Sequence, residues 1–315
     1  MAHIPIQRQP NLVVFGEFFL DLVFYNLPRV PRMGEEVKTE KFAKFPGGGL
    51  ATTALVAARL GTPTVAITRI GRDAPATAAW QTMVTSGISV ECCETDSKLP
   101  TAMTVCAAYD GDRMMITHDP INRGLERLLK RREAQTAIRN ARHLHLACAL
   151  FPPGRWIRAI RKLQRAGLTL SADIGWNPEV MESRELPSLM KKFEFTFPNE
   201  TEAQKMTGEK TVEKAAAKLA QWVRVPVIKL GDEGCVAMRE GRLIRMRSIR
   251  VRTVDATGAG DAFNGGFLHG YVAGWPVEEC MRAGNVCGAL ATTRAGGSSA
   301  IPPRKKLRAL MTKIG

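Results

Sequence analysis

Short apolar, β-branched runs alternate along this chain with longer stretches in which apolar residues recur every three or four positions. Runs of the first kind predict strands at Leu12–Phe15, Val65–Ile70, His143–Ala147, Leu168–Ile174, Phe195–Phe197 and Val225–Leu230. The second pattern predicts helices over Ala51–Leu60, Ala74–Ser86, Arg155–Ala166 and Thr211–Val223. Near the C-terminus, Arg242–Val251 reads as a strand, followed by long helices over Gly260–Ala273 and Val277–Thr293. Strand–helix alternation of this kind implies an α/β fold, with a central, mostly parallel sheet covered by helices on both faces.

Two regions break the alternation. Residues 21–45 and 101–118 alternate as strands do, carry little helical pattern, and contain turn signals at Pro28, Pro31-Arg32-Met33-Gly34 and Asp110-Gly111-Asp112. They predict a small β-lid inserted into a single domain that spans residues 1–315. A chain of 315 residues suits one large α/β domain with such an appendage. A thin sheet also needs something over its second face, which makes a homodimer contact through the lid a further expectation.

Composition narrows the class. Apolar residues make up 45% and charged residues 24%, as in ordinary globular proteins. No apolar run approaches the roughly 20 residues that span a bilayer, and the first ten residues lack a secretory pattern, so no membrane role is expected. The seven cysteines form no Cys-x-x-Cys pair and no zinc-like cluster, which favours thiols in a reducing cytoplasm.

The formal charge of +15 suits either nucleic acid or a small anionic substrate such as ATP. Its densest basic run, Arg123–Arg142, carries Leu125, Leu128, Leu129 and Ile138 at near-helical spacing without interleaved aromatics. It reads as one solvated helix face, and nucleic acid is not an expected partner. His143 and His145 alternate with leucines and read as packing residues. Cys92-Cys93 reads as a loop or strand-edge pair, and His118 and Arg123 as solvent-facing.

The sharpest local signal is Val254-Asp255-Ala256-Thr257-Gly258-Ala259-Gly260-Asp261-Ala262-Phe263-Asn264-Gly265-Gly266. Here a turn of small residues runs into a helix. The free N–H groups and positive end of a helix favour an anion, and glycines let a phosphoryl group approach the backbone. Gly258, Ala259 and Gly260 can cradle that group. Asp261 beside them can take the proton of an attacking hydroxyl. A helix cap with packing glycines is the plainer account of the same residues. The chain has no Gly-x-x-x-x-Gly-Lys-Ser/Thr loop, and Glu17-Phe18 follows Gly16 where a dinucleotide fingerprint would need glycines.

Together with four other motifs, this segment resembles the ribokinase-like (PfkB) family of carbohydrate kinases over nearly the whole chain. The first is Gly16-Glu17 and Asp21, then Pro31-Arg32-Met33-Gly34-Glu35, Gly47-Gly48 and Ala58-Arg59-Leu60-Gly61. The others are Asn199-Glu200-Thr201-Glu202, Lys229-Leu230-Gly231-Asp232-Glu233-Gly234, and the stretch Asn285–Arg294.

The resemblance implies a kinase that uses ATP with Mg2+ to phosphorylate a hydroxyl of a small sugar. Asp261 would be its base, and Gly258, Ala259 and Gly260 its anion hole. It implies substrate contacts from Asp21, Gly47, Gly48 and Thr52, and nucleotide contacts from Asn199, Lys229, Gly231, Gly234 and Asn285. Asn199 and Glu202 would organise Mg2+ through water, although their spacing equally suits a helix capping box. A K+ site is implied at Asp255, Thr257, Ala291, Arg294 and Gly296.

The chain departs from the family pattern at several positions. Ala256 replaces Ser or Thr, Thr52 stands where an asparagine is usual, and Ala300 stands where ribokinases offer a serine. Cys148-Ala149-Leu150 replaces the glutamate that ribokinases carry after the third predicted strand. Thr52 and Cys148 point away from ribose itself. The lid cations Arg29, Arg32, Lys38, Lys41, Lys44 and Arg113 form no phosphate-clamp motif. Neutral ketohexoses therefore rank first as substrates, nucleosides second and sugar phosphates third. A nucleoside kinase of the same family and a non-catalytic ligand-binding protein on this fold are the alternatives.

Overall fold

The computed structural model describes residues 12–109, 112–163, 167–294 and 296–312. The predicted turn residues Asp110 and Gly111 and the predicted helix end at Ala166 lie outside them. In chain order the strands are β1 (Leu12–Gly16), β2 (Phe19–Tyr25), β3 (Lys41–Gly47), β4 (Thr64–Ile67) and β5 (Arg69–Gly71). Then come β6 (Glu94–Asp96), β7 (Met103–Tyr109), β8 (Asp112–His118), β9 (His143–Ala147) and β10 (Thr169–Asp173). The last are β11 (Phe195–Thr196), β12 (Val225–Lys229), β13 (Cys235–Arg239) and β14 (Arg242–Met246).

Eight of them form the central sheet in the order β14-β13-β12-β11-β10-β9-β1-β4. Pairing is parallel from β4 to β12 and antiparallel only in the β12–β13–β14 meander. Burial on both faces accounts for the near-continuous apolar runs. In β1, Leu12 and Val14 pack with Leu50, Ala54, Phe263, Phe267 and Val286, from helices 48–59, 259–272 and 277–291. Val13 and Phe15 face the other way, against Trp156, Ile160, Ala215 and Leu219 from helices 153–161 and 212–219. The parallel register brings Gly16, Ala147, Asp173 and Lys229 to one carboxyl edge of the sheet. In open α/β sheets that edge is where ligands bind.

The other strands are placed by non-local pairing. β3, β2, β7 and β8 form a second sheet, antiparallel except where β2 runs parallel to β7. The stretch predicted as one strand at Val65–Ile70 is two, because β5 leaves the central sheet to pair with β6. Arg242–Val251 is a strand only as far as Met246, whose carbonyl, with that of Arg247, accepts from the Asn285 side chain. The Arg123–Arg142 run is not one helix. A 3-10 segment, Leu125–Lys130, precedes an α-helix, Arg132–Asn140, and the two are separated by an extended Arg131 (φ −68°, ψ 141°). Leu125 and Leu128 recur at the three-residue period of the tighter helix, and both are buried.

No disulfide joins any two of the seven cysteines. Among the described residues no helix is long and apolar enough to cross a membrane.

Candidate active site

The glycine turn after β14 runs directly into a helix. Gly258 adopts a left-handed conformation (φ 72°) and caps a helix that runs from Ala259 to Val272. Its first turn lies beside the carboxyl edge of the central sheet, with Gly260 next to the Lys229 side chain. Asp261 lies in this first turn, where its main-chain carbonyl accepts from the Thr53 hydroxyl (3.1 Å). A Cβ on Gly49 would come within 3.2 Å of Asp261 Oδ1, so glycine there leaves the carboxylate room.

A cavity of about 370 Å³ opens between this turn and the second sheet. Asp21, Gly48, Thr52, Gly258 and Asp261 all line it, together with Thr104, Thr117 and Thr257. Gly47 stands behind Asp21 rather than on the cavity surface. A Cβ there would fall inside the Asp21 carboxylate. The remaining wall was not legible as a motif and is apolar: Phe19, Val23, Phe45, Met115 and Trp176, the last 59% exposed. Among the described residues that line it there is no lysine or arginine. Of the predicted lid cations, Arg29 pairs with Glu35, Lys38 pairs with Glu36 at 3.8 Å, and Lys44 lies 5.9 Å over the Phe42 ring. The Arg113 side chain lies outside the described residues.

Burial sets the electrostatics. It pushes Asp261 up to about 7, and the neighbouring Asp173 carboxylate adds to the shift. Asp21 is likewise pushed to about 7, by burial and then by Asp255. Two carboxyl groups facing one cavity thus titrate near neutrality, a feature concentrated at functional sites.

A polar cluster that contains one predicted residue lies behind Asp261. The Lys229 ammonium donates to Asp173 Oδ2 at 2.7 Å, and Asn264 donates to the same oxygen at 2.7 Å. Burial alone would lower Lys229, but Asp173 and Glu202 outweigh it and hold the ammonium above its usual range. Asp173 is held low despite its burial, because Lys229 sits against it. Asp173 carries no motif signal, and Asn264 lies in the glycine-turn stretch with no role assigned from sequence. Only the parallel register of β10 and β12, with the helix above them, brings them to Lys229.

Asn199 and Glu202 form a complete capping box at the start of helix 200–207. Asn199 Oδ1 accepts from the Glu202 N–H, and Glu202 Oε2 accepts from the Asn199 N–H, both at 2.8 Å. The cap leaves Glu202 Oε1 for other partners. Burial and Asp173 hold the Glu202 carboxyl above its usual range. Among the described residues no three His, Cys, Asp or Glu side chains gather as a metal cage. That donor set fits an ion carried on phosphates and met through water, not one caged by protein. Asn285 spends its amide donors on the Met246 and Arg247 carbonyls and so fixes the chain after β14. Gly231 (φ 62°) and Gly234 (φ 101°) both take left-handed angles.

In the predicted cation loop, Asp255 accepts from the Thr257 N–H at 2.9 Å and from the Gly296 N–H at 3.4 Å. The Val254 and Asp255 N–H groups donate to the Thr292 carbonyl, next to Ala291. The exposed Arg294 follows it.

Comparison with known proteins agrees with this geometry. Residues 9–304 match the model of the pfkB family carbohydrate kinases. The chain is 28% identical over 286 residues to the cytidine kinase of Thermococcus kodakarensis, covering 87% of this chain and 93% of that one. It is 28% identical over 306 residues to the ribokinase of Haemophilus influenzae, covering 94% and 96%. The structure of Arabidopsis thaliana ribokinase complexed with ribose and ATP superposes with a TM-score of 0.83 at 26% identity, covering 96% of this chain and 99% of that one. A family match over nearly the full length, on a sheet and glycine turn of this form, places the chain in the pfkB family of carbohydrate kinases.

Proposed function

We propose that the protein transfers the γ-phosphoryl group of ATP to a hydroxyl of a small polyhydroxylated substrate bound between the second sheet and the glycine turn. The observation that carries this reading is the single cavity onto which Asp21, Thr52, Gly258 and Asp261 all open. Asp21 accepts two substrate hydroxyls and holds a third against Asp261. Asp261 takes that hydroxyl's proton as its oxygen attacks the γ-phosphorus. The N–H groups of Gly258, Ala259 and Gly260 receive the charge that builds on the phosphoryl oxygens, and ADP leaves.

The nucleotide lies along Gly231, Gly234 and the wall that Asn285 shapes. A magnesium ion would supply charge neutralisation on the phosphates, and Asn199 and Glu202 would meet it through water. Potassium would sit in the loop of Asp255, Thr257, Ala291, Arg294 and Gly296. The structure of Arabidopsis thaliana ribokinase complexed with ribose and ATP supports the nucleotide assignment.

Among the described residues the lining carries no lysine or arginine, which supports a neutral substrate over a sugar phosphate, since the latter would need a cationic clamp. Neutral ketohexoses head the ranking. The aromatic wall of Phe19, Phe45 and Trp176 favours a second reading, a nucleoside whose base stacks there. Similarity to a cytidine kinase points the same way. The outer face of the second sheet presents Phe42, Val105, Met114 and Ile116, each at least 37% exposed, and we assign it to a homodimer contact.

The test is a parallel assay of fructose, ribose, 2-keto-3-deoxygluconate, adenosine, cytidine and fructose phosphates with Mg-ATP. A kcat/KM preference for a neutral sugar or a nucleoside supports the reading and chooses between its two forms. A preference for a fructose phosphate contradicts the neutral-substrate assignment. Phosphorylation of none of them, with ATP still bound, contradicts the reading. Rates compared in sodium and potassium at matched ionic strength test the cation loop.

A further inference from the structure

The cluster behind Asp261 has a charge count that the proton transfer does not explain. Among the described residues the Lys229 ammonium faces three carboxyl groups: Asp173 at the end of β10, Glu202 on helix 200–207, and Asp261 on helix 259–272. The imidazole of His145, on β9, is also close to Asp173, and burial keeps it neutral, its pKa lowered to about 4. A phosphoryl group arriving at this edge would meet negative side chains from several elements. Coulomb repulsion there is weakly screened, because the site is partly closed to water.

Gly260 supplies the second observation. A Cβ on Gly260 would lie 3.0 Å from the Lys229 ammonium, and the lysine chain runs alongside, with Cε at 3.6 Å and Cδ at 3.7 Å. Glycine is therefore used here for space and not for a left-handed backbone. The missing side chain lets an ammonium lie flush against the helix turn that cradles the anion. Lys229 is aimed rather than floppy. Its main-chain N–H is bonded to the Pro198 carbonyl, and its side chain ends on an oxygen that Asn264 also holds.

We propose that Lys229 is a catalytic cation for the transferred phosphoryl group, and that Asp173 and Asn264 are positioning residues that hold its ammonium beside Gly260. This inference rests on the phosphoryl-transfer reading above. In it the ammonium shares its protons between Asp173 and a phosphoryl oxygen. No bond to lysine forms or breaks, and its proton count does not change. An ammonium fixed in place before the reaction stabilises developing charge without reorganising. The contribution therefore falls on the transition state more than on ATP in the ground state, and it separates kcat from KM.

The experiment compares wild type, Lys229→Met, Asp173→Asn, the double variant and Asp261→Asn, with kcat, ATP KM and thermal stability measured for each. Lys229→Met is expected to lower kcat by about 10²–10³-fold, the typical loss for one fixed charge-stabilising donor. Its ATP KM is expected to stay within about threefold of wild type. Asp173→Asn should also lower kcat, and the double variant should lose no more than Lys229→Met alone, since Asp173 acts through the lysine.

A merely structural pair would lower stability and leave kcat of the folded enzyme near wild type, which overturns the proposal. A loss confined to ATP KM, or additive losses in the double variant, overturns it equally. If Lys229→Met does not fold, Asp173→Asn decides, and an unchanged kcat rejects the assignment. Asp261→Asn separates this from failure of the wider reading. If it keeps full turnover, or wild type phosphorylates no substrate, both fall. If Asp261→Asn is inactive while Lys229→Met is normal, only the lysine assignment falls.

Discussion

The Asp21 carboxylate occupies the space that a Cβ on Gly47 would need. The two residues sit on neighbouring strands, β2 and β3, with Phe19 paired to Gly47 and Asp21 to Phe45. Gly47 thus leaves room for Asp21 to stand against the sheet and face the cavity. Gly47→Ala should displace the carboxylate and raise the KM for the sugar or nucleoside, leaving ATP affinity unchanged. The expected loss is about 1–3 kcal/mol of substrate binding, the cost of unpaired hydroxyls. Substrate titrations of Gly47→Ala and Asp21→Ala measure it, and the two should agree. A normal substrate KM in Gly47→Ala means that Asp21 does not hold the substrate.

The pH dependence follows from the two raised carboxyls. Both Asp261 and Asp21 must be ionised to accept protons, and both are held at about 7. Activity should therefore fall as pH drops below about 7, more steeply than one titrating group allows, and level off above it. A kcat/KM profile checks this, and a flat profile from pH 5 to 8 contradicts it.

Stability should run the other way. The folded-state pKa of Asp261 lies above its ordinary 3.8, so the fold favours the protonated form. Its contribution is full below the ordinary value and is lost as pH rises through about 7. Asp261→Asn removes the buried charge and should melt higher than wild type at pH 8, with the gap shrinking toward pH 5. Melting curves at both pH values measure it.

Gly234, in the turn between β12 and β13, is a strictly held backbone position. Its φ is 101°, and a Cβ there would run into the Met246 carbonyl. Gly234→Ala should cost about 1–3 kcal/mol of stability from the strained backbone alone, with more from the collision. Urea denaturation gives the number, and a midpoint within error of wild type contradicts the placement.

Trp176 separates the two substrate readings. If a nucleobase stacks on it, Trp176→Ala should raise nucleoside KM by about tenfold and leave a ketohexose KM near wild type. Equal effects on both, or none, would remove Trp176 from base recognition.

Local patterns in the sequence were enough for elements that need few partners. β1, β9 and the helices over 259–272 and 277–291 carry apolar runs that no other element needs to explain. Long-range pairing was not readable. Thr64–Gly71 looks continuous, and only its pairing with Glu94–Asp96 splits it. β13 was missed because Cys235–Arg239 is short and follows a glycine turn, so its identity depends on antiparallel partners on both sides. The same limit applies to the site. Asp261 and the glycines are contiguous and were visible as a motif. Asp173 ends an ordinary buried strand and goes unmarked, and Asn264 stands in the motif without a role, until the fold brings both to Lys229. Asn199 and Glu202 illustrate the converse. Their spacing allowed both a capping box and a phosphate role, and the box is present.

The central claim is that Asp261 is the base of a phosphoryl transfer, and Asp261→Asn tests it most directly. With the true substrate and Mg-ATP, the variant should bind ATP as wild type does, while kcat falls by about 10²–10⁴-fold, the usual cost of losing a general base. A folded variant that keeps more than about a tenth of wild-type kcat would show that the proton goes elsewhere, and would contradict the account.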